Sequence, residues 1–238
     1  MYMQAPNEAE LLALWERGLV RHPIDRALLL CAWARPELPL SLLPDLPLGA
    51  LNSALLRLRE TCFGSHISAR VNCEHCGEPM EIALDTKQLL TSVNANDSPA
   101  EFEISSHRFR VPCSRDLAAV SGERDIKAAT LKLLQQCCLA HPNEADIGFD
   151  DILTEAEAAM ERLDPSADIN LALTCESCGH NWLTSFDIGA LLWNEIDMRA
   201  RSLLAEVHSI ARAYGWTEPE ILALSPQRRT AYLDMVDV

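Results

Sequence analysis

Apolar residues recur at spacings of three and four along the C-terminal part of the chain, where Leu192, Ile196, Ala200, Leu203, Val207, Ile210 and Tyr214 form one stripe. A helix advances about 100° per residue, so this stripe predicts one long amphipathic helix with a single buried face. Gly215 ends it, Thr217 and Glu220 form a capping box for a short helix, and Ser225-Pro226 opens a last one carrying Arg228, Arg229, Tyr232 and Met235. At the other end, Asn7 precedes Glu8, Glu10, Leu11, Leu12, Leu14 and Trp15, which predicts a capped helix stopping near Gly18. Pro23 leads into a more apolar helix over 24–33, and Leu51, Leu55 and Leu58 share a face of another over 49–62, stopped by Gly64. Between them, PELPLSLLPDLP (36–47) is too rich in proline for a regular element and is expected to wrap extended over the core. Two further helices are predicted between Ser114 and Asp164: one over 125–139 with Ile126, Ala129, Leu133 and Cys137 in line, broken at His141-Pro142, and one over 150–163.

The period changes to two in three places. Residues 67–85 read ISARVNCEHCGEPMEIALD and residues 169–187 read INLALTCESCGHNWLTSFD; a constant offset pairs Ile67 with Ile169, Cys73 with Cys175, Glu74 with Glu176, Cys76 with Cys178, Gly77 with Gly179 and Asp85 with Asp187. Each copy alternates apolar and other residues on both sides of its cysteines, so each predicts a strand, a Cys-x-x-Cys-Gly turn and a second strand. Residues 101–111 (EFEISSHRFRV) predict a third hairpin with Phe102, Ile104, Phe109 and Val111 on one face, expected to extend the sheet of the first. The stretch 88–99 is polar and reads as turns.

Two Cys-x-x-Cys-Gly turns supply four thiolates, the set a tetrahedral structural zinc prefers, and the glycine lets successive amides turn toward a sulfur. We therefore read Cys73, Cys76, Cys175 and Cys178 as ligands of one structural zinc, each turn being a zinc knuckle. The competing reading is a pair of redox Cys-x-x-Cys motifs, but a thioredoxin-like motif opens a helix and here a strand follows both times. His75 and His180, beside the cysteines, read as exposed knuckle residues and not ligands. The hundred-odd residues between the halves are tolerable because loop-closure entropy grows only logarithmically with length.

Composition narrows the classes. The chain has 238 residues, 48% of them hydrophobic, enough to bury a core, and its apolar runs are too short to span a bilayer. No basic start or apolar signal core is visible at MYMQAPNEAE, so a cytoplasmic product without membrane insertion is expected. Cys31, Cys62, Cys113, Cys137 and Cys138 have no disulfide-framework spacing and read as reduced packing residues. A net charge of −15 argues against a polyanionic partner.

Together these predict an α+β, mainly helical chain built around a split zinc ribbon: an N-terminal helical segment (1–63), a first knuckle and hairpin (64–113), a helical insertion (114–165), a second knuckle (166–188) and a C-terminal helical subdomain (189–238). No catalytic set stands out: there is no Gly-rich phosphate loop, Gly-x-Ser-x-Gly, His-Glu-x-x-His or deaminase-type pairing of His-x-Glu with Pro-Cys-x-x-Cys. A structural or chaperone-like protein is therefore expected, not an enzyme, with no small-molecule substrate. His208 reads as a capping or interface residue. The C-terminal Trp193, Trp216, Arg228, Arg229 and Tyr232 are residue types that anchor interfaces, and either a docking surface or internal packing accounts for them. A helix-turn-helix over 214–233, with Arg228 and Arg229 entering a groove, is the alternative, but Glu218, Glu220 and Asp234 flank it.

Three stretches carry a resemblance: LPLGALNSALLRLRETCFG (46–64), FRVPCSRDLAAV (109–120) and the run over 191–236, where Glu206, His208, Tyr214, Gly215, Trp216, Glu220, Ile221, Leu222, Arg228, Arg229 and Tyr232 match. The chain resembles the T-even-phage type baseplate hub and hub-assembly chaperone proteins of contractile phage tails and phage-derived contractile injection systems. Family knuckles commonly read Cys-Pro-x-Cys-Gly; here Glu74 and Glu176 stand at the proline position, which is not a ligand. The resemblance implies a role in assembling a baseplate or hub, with baseplate or hub proteins as partners.

Overall fold

Asn7 opens the first helix as its sequence asks: its side chain accepts the Glu10 amide at 3.0 Å, and the Glu10 carboxylate accepts the Asn7 amide at 2.8 Å. The computed structural model describes residues 4–91, 97–105, 107–140 and 149–236. In chain order these form α1 (Glu8–Gly18), α2 (Pro23–Ala34), a 3-10 turn (Leu43–Asp45), α3 (Leu48–Phe63), β1 (His66–Asn72), β2 (Pro79–Asp85), α4 (Thr86–Thr91), β3 (Glu101–Ile104) and β4 (His107–Arg110). There follow α5 (Ser114–Val120), α6 (Ile126–Cys137), β5 (Cys138–Ala140), α7 (Phe149–Leu163), β6 (Asn170–Thr174), β7 (Asn181–Ser185), α8 (Ile188–Tyr214), α9 (Glu218–Leu222) and α10 (Pro226–Val236). The chain is thus α+β, with small antiparallel sheets among helices. No helix among the described residues is long and apolar enough to cross a membrane.

The largest core joins α1, α2, α3 and α8. Leu30, Leu55, Leu56, Leu58, Ile188, Leu192, Ile196, Ala200 and Leu203 lie in it, almost wholly removed from water. The stripe on α8 is buried from Leu192 to Ile210, but Tyr214 is 37% exposed, because at the last turn its ring rests on Trp216 and Tyr232 and not on a covering helix. A smaller cluster, Val207, Ile210 and Ile221, seats α9 and α10 against the end of α8.

Four expectations change. The hairpin β3–β4 does not extend the β1–β2 sheet; it forms a separate sheet in the order β3-β4-β5. Its apolar face finds cover elsewhere: Phe109 is fully buried with Ile104 against Leu134, Ile152 and Ala156, which come from α6 and α7. The helix expected to reach 139 stops at Cys137, since the next three residues pair with the free edge of β4, and Ile126, at the capped start of that helix, is 84% exposed. The start of the stretch read as turns is helical instead: just before it Asp85 accepts the Lys87 amide at 2.8 Å and starts α4, whose Leu89 and Leu90 reach the main core. The proline-rich segment is turns with a 3-10 turn in place of an extended strap; Leu43 and Leu46 dock while Leu40 and Leu42 face solvent. The break read at His141-Pro142 lies outside the described residues.

Candidate metal centre

The two repeated segments fold alike. β1 pairs antiparallel with β2 from His66↔Asp85 to Asn72↔Pro79, and β6 pairs with β7 from Asn170↔Ser185 to Thr174↔Asn181. In each hairpin the alternation holds: Ile67, Ala69, Val71, Met80 and Ile82 turn inward, as do Leu171, Leu173, Trp182 and Thr184, while Ser68, Arg70, Glu81, Ala172 and Leu183 face solvent. Beyond the last strand pair the chain turns through the cysteines with the same bonds twice. The Cys73 amide donates to the Glu78 carbonyl and the Gly77 amide to the Cys73 carbonyl, both at 2.9 Å; the Cys175 amide donates to the His180 carbonyl at 2.9 Å and the Gly179 amide to the Cys175 carbonyl at 2.8 Å. Gly77 and Gly179 close these turns at φ of 74° and 70°, the left-handed region. A Cβ at either would meet nothing within 4 Å, so backbone conformation and not crowding calls for glycine there.

Both hairpins are rooted in α3 and α8. Arg59, 4% exposed, donates to the Gly64 carbonyl at 2.6 Å where the chain leaves α3 for β1, and binds Glu195 of α8 with two bonds of 2.8 and 3.1 Å. The second hairpin is approached through residues 164–167. There the Asp164 carboxylate accepts the Gly49 amide at 2.9 Å, and Asn52 donates to the Ser166 and Ala167 carbonyls at 2.8 and 3.2 Å. Asp164 therefore caps α3 from 115 residues away, at a helix start where Pro47 offers no side-chain acceptor. Gly49 permits the approach, since a Cβ there would sit 1.8 Å from the carboxylate. The hairpin then returns through Asp187, which accepts the Ala190 amide at 2.9 Å and caps α8.

This rooting brings the two turns together. Cys73, Cys76, Cys175 and Cys178 place their sulfurs within 4.8 Å of one another, and among the described residues they are the one group of three or more His, Cys, Asp or Glu donors that could hold a metal ion. Two contacts cross between hairpins, Cys73 to Cys178 and Cys76 to Cys175, each 3.7 Å between Sγ atoms. A tetrahedral ion bonded to four thiolates at about 2.3 Å would separate its sulfurs by about 3.8 Å, so the residues present fit such a group. Cys73 and Cys175 are buried; Cys76 and Cys178 are exposed.

The electrostatics point the same way. Amides of Cys76 and His75 directed at its sulfur hold the Cys73 thiol down at about 6. At Cys178 the His180 amide acts in the same sense, but desolvation and the sulfurs of Cys76, Cys175 and Cys73 outweigh it and push the thiol up to about 12. Four negative sulfurs at this spacing repel one another, and a bound cation removes that conflict. His75 and His180 are not donors to the cluster: their rings stack on each other with centroids 5.4 Å apart, and His180 stacks in turn on Trp182 at 5.8 Å.

Burial raises four of the remaining cysteines, Cys31, Cys62, Cys113 and Cys137. It pushes Cys31 and Cys137 up to about 12 and Cys62 to about 11. Cys113 and Cys137 flank the buried Asp116, whose carboxylate takes two bonds from Arg110 at 2.6 and 2.9 Å. Burial raises that carboxyl, but Arg110 and the Cys113 amide prevail and hold it low.

The five candidate interface residues separate. Trp193 is 7% exposed, lies against Gly18 and carries the Arg26 guanidinium 4.7 Å above its ring, so it packs α8 on α1 and α2. Arg229 is 1% exposed: it donates to Glu206 and the Leu224 carbonyl, each at 2.9 Å, and pairs with Glu8, while Arg199 bridges the same two glutamates at 2.8 and 2.9 Å. Trp216 and Tyr232 are half-buried, in edge contact with each other at 4.9 Å and with Tyr214 beside both. Arg228 is exposed, as is His208. The Glu8, Arg199, Glu206 and Arg229 network was not anticipated from sequence; its one signal there is that Arg229 shares a helical face with Tyr232 and Leu233 in a helix with little else to bury.

No protein-family model, curated protein or solved structure matches the chain.

Proposed function

We propose that the chain is a non-enzymatic structural or assembly-chaperone protein for the baseplate hub of a contractile phage tail or contractile injection system, held together by one structural zinc in a split zinc ribbon. The observation that carries the zinc half is the convergence of four cysteine sulfurs from two matching hairpins. Zinc is the ion that an all-cysteine tetrahedral set most commonly serves, and four protein ligands leave no open position for water or substrate. Cys73, Cys76, Cys175 and Cys178 would bind it as thiolates, and its effect would be to join two hairpins that share no strand pairing. The assembly half rests on the resemblance of the stretches over 46–64, 109–120 and 191–236 to hub and hub-assembly proteins. Trp216, Tyr232 and Arg228 are the candidate partner contacts that remain at least partly open to solvent.

The nucleic-acid alternative is weakened by Arg229, which is turned inward onto Glu8 and Glu206 and leaves Arg228 alone of the pair to reach a groove. Co-expression of the tagged chain with the sheath, tube, spike and baseplate proteins of a contractile tail should recover a baseplate component, and Trp216→Ala with Arg228→Ala should reduce that recovery while the chain stays folded. Recovery of none of them, with a salt-dependent shift of labelled duplex DNA, would replace the assembly reading by the alternative.

A further inference from the structure

The four sulfurs are not equivalent. Each hairpin presents one buried cysteine, Cys73 or Cys175, and one exposed cysteine, Cys76 or Cys178. Each exposed sulfur makes its 3.7 Å contact with the buried sulfur of the opposite hairpin. We infer that the centre is an oxidation site at which a peroxide converts the metal-held clasp into a covalent one, through disulfides Cys73–Cys178 and Cys76–Cys175. The inference rests on the metal reading above for the resting state of the thiolates, and it concerns what replaces the ion.

The chemistry follows from exposure and contact. Hydrogen peroxide reaches an exposed thiolate first: the Cys76 sulfur attacks one peroxide oxygen, the O–O bond breaks, and Cys76 sulfenic acid and hydroxide result. The Cys175 thiolate, already against that sulfur, then attacks it; the S–S bond forms, the S–O bond breaks and a second hydroxide leaves. One peroxide has accepted the two electrons that the two thiolates gave up. A second peroxide does the same at Cys178 and Cys73, after which the centre has no thiolate donors left and releases its ion. The crossing sulfurs, 3.7 Å apart, need little movement to approach attack distance, about 3–3.5 Å. The five other cysteines compete poorly, since Cys31, Cys113 and Cys137 are buried and Cys62 and Cys138 are only partly exposed, whereas Cys76 and Cys178 are open to solvent. The consequence is a clasp that survives loss of its metal: the hairpins stay joined in oxidising conditions, and reduction with metal present restores the first state.

The test uses the full chain, purified with its metal and titrated with hydrogen peroxide. Metal release is followed with a chromogenic chelator, disulfides by mobility on a non-reducing denaturing gel and by mapping of linked peptides after alkylation. Crossing disulfides span 105 and 99 residues and close a large loop, so the denatured chain should run faster, in step with metal release and reversibly on adding dithiothreitol. Cys178→Ser should retain the Cys76–Cys175 link alone; should that variant not fold, the wild-type peptide map decides. Disulfides Cys73–Cys76 and Cys175–Cys178, which close loops too small to change mobility, would overturn the inference, as would sulfinic acids at Cys76 and Cys178 with no disulfide. If the untreated protein holds no metal, the zinc reading falls by itself, and the peptide map still decides the crosslinks.

Discussion

The helical body and the two-hairpin arm are stabilised in different ways, although one chain passes between them twice. In the body, α3 and α8 bury whole faces: Leu55, Leu56, Leu58, Leu192, Ile196 and Leu203 are almost entirely out of water, and each such side chain contributes roughly 1.5–3 kcal/mol. In the arm the inward residues Val71, Met80, Ile82, Leu173 and Trp182 are only half-buried and belong to none of the buried clusters. A two-stranded hairpin is marginal in water by itself, and these two form separate sheets. The body can thus fold on burial, whereas the outer arm has no buried core of its own among the described residues and brings four sulfurs together at its tip. A short apolar strand pair is an adequate scaffold only if something else joins the pairs, and at this tip that is cysteine chemistry.

The largest test of the contrast is removal of the proposed metal. Structural zinc sites carry about 10–16 kcal/mol of binding free energy, so chelation or Cys175→Ser should abolish protection of the β1, β2, β6 and β7 amides in hydrogen exchange. The α8 amides from Leu192 to Leu203 should keep theirs, because they lie in the main core, to which none of the four converging cysteines belongs. Equal loss in both regions would show that the body depends on the arm, against the division drawn here.

A smaller effect is expected at the ion network that seats α10. Arg229→Ala leaves Glu206 and Glu8 with Arg199 alone and should destabilise the protein by about 1.5–3 kcal/mol, with metal content unchanged. The pH dependence has a definite sign. Burial raises the Glu206 carboxyl, but its bonds to Arg229 and Arg199 outweigh this and hold it below the usual range. Its contribution is therefore complete above the unfolded value of about 4.3 and lost as pH falls through the folded value. Chemical denaturation from pH 7 to pH 3 should show that loss in the wild type and a flatter profile in Glu206→Gln.

The smallest effect is expected at Asp164, where the arm meets the body. Asp164→Ala removes the cap on α3 and should cost about 1 kcal/mol, while Asp164→Asn keeps an acceptor for the Gly49 amide and should cost less. Burial raises the Asp164 carboxyl against the pull of that amide, so the charged form is the disfavoured one in the folded state. A cost for Asn equal to that for Ala would mean that the charge, and not the hydrogen bond, holds the junction.

These residues also show what a sequence can and cannot carry. The doubled Cys-x-x-Cys-Gly turns were legible because their geometry is local: a glycine at positive φ and two amide bonds within six residues recur identically in both copies. The α8 stripe and the caps at Asn7 and Thr217 were legible for the same reason. Long-range choices were not. Cys138–Ala140 becomes a strand only because β4 has a free edge beside it, and nothing in those three residues announces it. Whether Arg229 docks a partner or packs internally is open in the sequence until Glu8, 221 positions away, is seen to pair with it. Asp164 reads as a helix stop, which it is, and its second role depends on a bare glycine amide in a different helix.

The central claim, that the two hairpins share one metal through four cysteines, is tested most directly by elemental analysis of untagged protein purified without chelator, paired with titration of its thiols. The account predicts close to one zinc per chain, with Cys73, Cys76, Cys175 and Cys178 protected from alkylation until a chelator is added. Two metals per chain, or no metal with all four thiols freely titratable in a stably folded protein, would contradict it.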